Sequence, residues 1–184
     1  NGIIVNAVVS GASTLATAGG SNQVITFNAV NTFTGNLNLA SAGCVLGTTG
    51  VFKFVPGATG VTNAITGTGT ANLNGAFNID LTGASSNPGD QWDLITTTGA
   101  VTIGANFTVT GFTPDAGAAG SRIWTSGSYQ YAEATGVLSV VATSDSDSDG
   151  MNDTWETTYF GGLGQGAGDD FDGDGTDNLT EFRL

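Results

Sequence analysis

The 184-residue chain has no histidine. That removes the commonest general base and every catalytic triad built on imidazole. Basic residues are nearly as scarce: Lys53, Arg122 and Arg183 are all there are. A nucleic-acid surface needs Lys and Arg in clusters to meet phosphates, so that class of partner is excluded. The same shortage argues against an anionic membrane surface. Cys44 is the single cysteine, so no internal disulfide can form. Its setting, Gly43-Cys44-Val45-Leu46, predicts a small buried apolar residue. No apolar run is long enough to span a membrane. The opening Asn1-Gly2-Ile3-Ile4-Val5 lacks the basic start of an export signal. Low charge, with Thr and Asn where Lys and Glu are usual, is typical of secreted and cell-surface β-proteins. The expectation is an extracellular or cell-surface chain whose signal peptide has been removed.

Glycine (30 residues) and short alternating runs dominate residues 1–142. Ile3–Val9, Gln23–Val30, Thr32–Leu39, Cys44–Leu46, Val51–Val55, Val61–Gly69, Ala71–Leu81, Trp92–Thr97, Ala100–Ile103, Phe107–Phe112, Arg122–Trp124, Ser128–Ala132 and Val137–Val141 read as strands between Gly, Asn, Ser and Thr turns. In Ala71–Leu81, apolar Leu73, Phe77, Ile79 and Leu81 alternate with Asn72, Asn74, Asn78 and Asp80, and Gly75 allows a bulge. So many short strands predict an all-β, antiparallel, jelly-roll-like sandwich over residues 1–142. A β-solenoid is the alternative, although no fixed short period supports it. Ile3–Val9 is the most apolar run, and Gly11–Ser21 after it is small and flexible in composition. Residues 1–10 read equally as the first strand of their own sheet or as a donor strand that completes a neighbour's sheet.

Residues 143–184 differ. Eleven of the 16 acidic residues lie between Asp145 and Glu181. They form two copies of one spacing: Asp145-x-Asp147-x-Asp149-Gly150-x5-Glu156 and Asp170-x-Asp172-x-Asp174-Gly175-x5-Glu181. Both fit the twelve-residue calcium loop without a mismatch. Calcium takes six to eight hard oxygen ligands, and alternate residues of a tightly curled loop converge on one ion. The expected ligands are Asp145, Asp147, Asp149, the Met151 carbonyl, Asp153 and Glu156 in loop 1. In loop 2 they are Asp170, Asp172, Asp174, the Thr176 carbonyl, Asn178 and Glu181. Two Ca2+ per chain are expected. Short helices should run over Asp153–Phe160, with Trp155, Tyr159 and Phe160 on the buried side, and from near Asn178.

These loops resemble the single-helix calcium repeats of bacterial surface proteins and are similar to dockerin-like and thrombospondin type 3-like modules. The stretch Asp147-Ser148-Asp149-Gly150-Met151-Asn152-Asp153-Thr154-Trp155-Glu156 resembles one found near the ends of exported bacterial proteins. Upstream, Phe77–Leu81, Gly89–Ile95 and Ala134–Val140 resemble autotransporter-associated β-strand regions. Two features depart from paired EF-hands. Position 8 of each loop is polar, Asn152 and Asp177, where loop pairing wants an apolar residue. Loop 1 comes after a strand-like Val137–Val141 and loop 2 after glycines. A helix-loop-helix sensor is therefore not expected.

Outside the loops only Asp80, Asp90, Asp93, Asp115 and Glu133 could serve as catalytic carboxylates. A glycosidase needs two of them facing each other at a set separation. Asp90 and Asp93 flank Gln91-Trp92, and Trp92, Trp124 and Trp155 could form a sugar platform. Turn, surface and core roles are the expectation for all of these. The function expected is therefore non-enzymatic: a structural subunit of an extracellular, calcium-stabilised filament, fibre or surface layer. Its partners would be other copies of itself, joined through Ile3–Val9. The alternative is a surface carbohydrate-binding or adhesin module.

Overall fold

The computed structural model describes residues 2–17, 24–141, 145–147 and 149–182. Asn1, residues 18–23 with the expected strand start at Gln23, the expected junction Ala142–Ser144, Ser148 of loop 1, and Arg183 and Leu184 lie outside the described residues. The chain forms two compact units, Asn1–Val140 and Val141–Leu184.

The first unit is laid down coil by coil. Coil 1 carries β1 (Gly2–Val5) and β2 (Leu15–Ala16). Coil 2 carries β3 (Val24–Phe27) and β4 (Leu37–Asn38). Coil 3 carries β5 (Gly43–Leu46), β6 (Val51–Phe54) and β7 (Ile65–Thr66). Coil 4 carries β8 (Ala71–Leu73), β9 (Ala76–Ile79) and β10 (Gln91–Asp93). Coil 5 carries β11 (Val101–Ile103) and β12 (Thr108–Thr110). The strands β13 (Thr113–Pro114), β14 (Ile123–Ser126), β15 (Tyr129–Ala132) and β16 (Val137–Val140) come last.

One strand from each coil builds the first sheet, β1-β3-β5-β8-β11, and every pair in it is parallel. A second sheet, β2-β4-β7, and a third, β12-β9-β6, are parallel as well. Down the first sheet the register partners Gly2–Val24, Val24–Gly43, Cys44–Ala71 and Ala71–Val101 are 22, 19, 27 and 30 residues apart. Each coil thus stacks on the one before, which is the pairing of a β-solenoid.

The unit is all-β, as expected, but its ladders are not those of an antiparallel, jelly-roll-like sandwich. Among the described residues antiparallel pairing is confined to a fourth sheet, β10-β16-β15-β14-β13. Alternation of period two buries one strand face in either arrangement, so it cannot tell them apart. The two differ in where the chain goes at the end of each strand. In the first hundred residues it turns a corner into a different sheet rather than doubling back as a hairpin. Gly75 shows how. It stands between β8 and β9, which belong to different sheets, so it is a corner rather than a bulge in one strand. A Cβ there would overlap the carbonyl oxygens of Gly47 and Gly50 on the preceding coil. Coil lengths vary, which is why no fixed period is visible.

Stacking in register lines up like side chains. Val5, Phe27, Leu46, Leu73 and Ile103 form one inward column. Phe52 faces Phe77 in another, and rings also meet between coils: Phe27–Phe52 at 5.2 Å, Phe54–Phe77 at 4.7 Å and Phe77–Phe107 at 4.8 Å. Burying each such ring contributes about 1.5–3 kcal/mol. Cys44 is buried in the Ile25–Cys44–Ala71 column, and burial pushes its thiol up to about 12, consistent with a packing role. Asparagine closes the corners. The buried Asn31 amide donates to the carbonyls of Ala29 (2.8 Å) and Val51 (3.2 Å), and its Oδ1 accepts the Val9 N–H (3.1 Å). Asn63 does the same for Lys53 and Val55, each at 2.8 Å. A corner that left these backbone groups dry and unpaired would lose about 1–3 kcal/mol for each.

The fourth sheet holds a buried ion pair. Glu133 Oε1 accepts from Arg122 Nε (2.9 Å), Arg122 Nη2 (2.8 Å) and Trp124 Nε1 (2.8 Å). Its Oε2 accepts the Gly120 and Arg122 backbone N–H groups at 2.7 and 3.3 Å. Five donors offset the desolvation of this carboxylate and occupy it structurally. Trp92 is fully buried with Nε1 donating to the Ala58 carbonyl at 2.9 Å, and Trp124 is 3% exposed. Neither offers a face to a sugar. The second unit contains α1 (Asp153–Tyr159) and α2 (Asn178–Phe182).

Candidate metal centre

The two acidic loops share the hydrogen bonds of positions 1, 5, 6 and 7. Asp145 receives the N–H of Asp149 (3.1 Å) on one oxygen and that of Gly150 (3.0 Å) on the other. Asp170 receives Asp174 (3.1 Å) and Gly175 (2.9 Å) in the same way. Asp149 accepts the Met151 N–H at 2.9 Å, and Asp174 accepts the Thr176 N–H at 2.8 Å. The position-6 glycines carry φ of 94° at Gly150 and 95° at Gly175, the left-handed region that the tight bend requires. Curling brings oxygens together. One carboxylate oxygen from each of Asp145, Asp147 and Asp149 lies within 4.8 Å of the others, and the same holds for Asp170, Asp172 and Asp174. Each triplet could hold a metal ion.

Position 8 has its own purpose. The Asn152 side chain accepts the Trp155 N–H at 2.9 Å, and that of Asp177 accepts the Thr180 N–H at 2.8 Å. Both residues cap the next helix, a task suited to Asn and Asp. The polar position 8 thus starts a helix at the loop's end and brings Glu156 or Glu181 back one turn later. This use of Asn152 and Asp177 was readable from capping preference but was not expected.

Position 9 staples each loop. Asp153 accepts the Ser146 N–H (2.7 Å) and hydroxyl (2.6 Å). Asn178 is fully buried, takes the Phe171 N–H at 3.0 Å on Oδ1 and donates from Nδ2 to the Gly166 carbonyl at 3.0 Å. Each reaches position 2 of its own loop, so part of the donor capacity expected of Asp153 and Asn178 is spent on closure.

The loops differ at position 12. Glu156 is fully buried, and neither of its carboxylate oxygens has a hydrogen-bond partner among the described residues. Asp149 Oδ2 is likewise buried and unpartnered among them. A buried carboxylate without a partner is costly. Burial first, and then Asp147, Asp149, Asp153 and Asp145, push the Glu156 carboxyl above the usual range. Burial and the neighbouring acids, Asp149 foremost, also raise Asp147. Glu181 is raised by burial and by Asp172, Asp174, Asp170 and Asp177, but it stays half-exposed, and its three aspartates are exposed. The oxygens that lie within 4.8 Å of one another are those of the aspartate triplet, and Glu156 is not one of that group. Hard carboxylate oxygens of this kind suit a cation.

An aromatic cluster supports the loops. Trp155 meets Tyr159 (4.9 Å), Phe160 (5.0 Å) and Phe182 (5.3 Å), and Phe160 meets Phe171 (4.9 Å). Phe171 lies inside loop 2, so a ring contact ties the loop to Phe160, the residue that follows α1. No protein-family model, no curated protein and no solved structure matches this chain.

Proposed function

We propose that this chain is a non-catalytic structural subunit of an extracellular β-assembly, a filament, fibre or surface layer, stiffened by two calcium ions. The observation that carries the reading is the Glu156 carboxylate, buried and unpartnered among the described residues and within the electrostatic reach of Asp147, Asp149 and Asp145. Its donor set is all oxygen, which favours calcium over zinc, whose sites draw on nitrogen and sulfur. Extracellular calcium is roughly millimolar, and modules with sites of this type bind at about 10⁻⁴–10⁻³ M, so the ions would be permanent parts. Short capped helices and stapled loops support a clasp rather than a sensor that opens. Melting with calcium and with chelator tests this. A rise in melting temperature with calcium supports it; identical curves would overturn it.

Self-association through Ile3–Val9 takes a modified form. β1 pairs with its own β3, so strand donation would have to break that ladder. We place the assembly contact on the outer edge of β1 instead. Electron micrographs of purified protein distinguish filaments or sheets from dispersed particles. One observation favours the carbohydrate alternative. A groove of about 360 Å³ is lined by Trp155, Tyr159, Phe160, Phe171, Asp172 and Glu181. Specific signal from monomeric protein on a glycan array would select that reading.

A further inference from the structure

We propose that copies of this chain join head to tail, with β1 of one copy adding as a parallel strand to the outer edge of β11 of the next. The proposal rests on the self-assembly reading and adds the surface that β1 meets and the polarity of the contact.

The first sheet has two open edges, one at β1 and one at β11. A single row of hydrogen bonds crosses it at the strand ends. Asn28 donates its N–H to the Val5 carbonyl (3.0 Å), Gly47 to Phe27 (2.9 Å), Asn74 to Leu46 (2.9 Å) and Gly104 to Leu73 (2.7 Å). Ile103 is next in that column, and among the described residues its carbonyl receives no N–H. The row begins at Asn6, whose N–H donates to no described carbonyl. Alternation along a parallel strand turns the Ile103 N–H to the open side of β11, and the Ile4 N–H and carbonyl to the open side of β1. An in-register copy would seat its Val5 beside Ile103. Its Asn6 N–H would then meet the Ile103 carbonyl, and its Ile4 carbonyl the Ile103 N–H. The two edges are in phase with each other.

The side chains follow the same phase. Ile3, Ile25, Cys44, Ala71 and Val101 are register partners on successive coils. Inside this column Cys44 and Ala71 are each 2% exposed, whereas its two ends are open, Ile3 at 58% and Val101 at 37%. Stacking Ile3 of one copy on Val101 of the next would close both ends. The other two ladders are finished by the chain itself at the far end. The Ile95 N–H, beyond Ile65, donates to the Gly136 carbonyl at 3.3 Å, and Arg122 Nη2 donates to the Phe107 carbonyl, just ahead of β12, at 3.2 Å. The last strands thus leave the β11 edge to an outside partner.

Charge points to a second copy as that partner. The chain carries a formal net charge of −13, so copies repel one another over most of their surface. Residues 1–52 and 94–113, which hold all of β1 and β11, contain no charged side chain and no proline. Edges that stay in water are normally blunted by charge, proline or a bulge. Joined here, two copies set no like charges against each other, an arrangement that otherwise costs several kcal/mol. The two surfaces differ, so the contact is heterologous and repeats into a polar filament or a closed ring.

The test uses the full chain and two variants, Ile3→Lys on the β1 edge and Val101→Lys on the β11 edge. Under conditions where the parent assembles, each variant alone should sediment as a monomer. Mixed, they should form one-to-one dimers, because each keeps the edge that the other has lost. Slow exchange of the Phe27 amide in both variants shows that they are folded. In the parent, assembly should slow exchange of the Asn6 and Ile103 amides by about tenfold or more, a readout that needs no variant. A Val101→Lys chain that still assembles, or protection of Asn6 without Ile103, overturns the head-to-tail contact and leaves the self-assembly reading standing. A parent that stays monomeric overturns both.

Discussion

Asp153 holds Ser146 by two bonds, one to its backbone N–H at 2.7 Å and one to its hydroxyl at 2.6 Å. In loop 2 Asn178 takes the corresponding N–H, that of Phe171, and also binds the Gly166 carbonyl. Position 9 is thus a fastening, present before any ion is considered. Asn178→Ala would strand a backbone N–H and a carbonyl, so it should destabilise the second unit by about 1–3 kcal/mol. Trp155 fluorescence should register the loss in chelator as well as in calcium. A variant that is silent in chelator would make Asn178 a ligand only.

Gly75→Ala should destabilise the first unit by about 1–3 kcal/mol or more, because its Cβ has no space against Gly47 and Gly50. Chemical denaturation measures this. Gly89→Ala is the comparison: its left-handed φ of 92° is strained for alanine, but nothing lies within 4 Å of its Cβ. It should cost less than Gly75→Ala.

Tyr131 is fully buried and its hydroxyl has no hydrogen-bond partner among the described residues. Burial, and secondarily Glu133, push the phenol well above its usual range. Tyr131→Phe keeps the ring on Phe77 (5.7 Å) and removes the stranded hydroxyl. The variant should match or exceed the parent in stability, by up to about 1 kcal/mol. A clear loss in thermal or chemical denaturation would mean that the hydroxyl has a partner.

Asp80 gives a pH signature. Its carboxyl meets Lys53 Nζ at 2.9 Å and the Thr82 hydroxyl at 2.7 Å. Hydrogen bonding from Lys53, and then from Thr82, lowers it to about 2. An unfolded Asp titrates near about 3.9. The folded value is the lower one, so the contribution is complete above the unfolded value and fades as pH falls from about 4 to about 2. The stability difference between parent and Asp80→Asn should therefore shrink over that window. A difference constant with pH would show that the pair contributes no linkage.

Strand positions were legible because alternation marks one buried face, as in Leu73, Phe77 and Ile79. Pairing direction was not, because Phe52 and Phe77 would alternate identically in a sandwich and in a solenoid. β2 was hidden as well: Leu15–Ala16 is two residues in a Gly, Ser, Thr and Ala stretch, and it is a strand only because Leu37 lies beside it. At the loops the spacing of aspartates was fully visible, since a curled loop needs it locally. The burial of Glu156 and the stapling by Asp153 and Asn178 were not. They depend on where each helix returns the chain, which Asn152 and Asp177 set by capping.

Calorimetric titration of calcium into chelator-stripped protein, parent beside Glu156→Gln, tests the central claim most directly. Two ions per parent chain and one per variant chain, with loop 2 retained, is the expected result. No uptake by the parent, or two ions still bound by the variant, would contradict it.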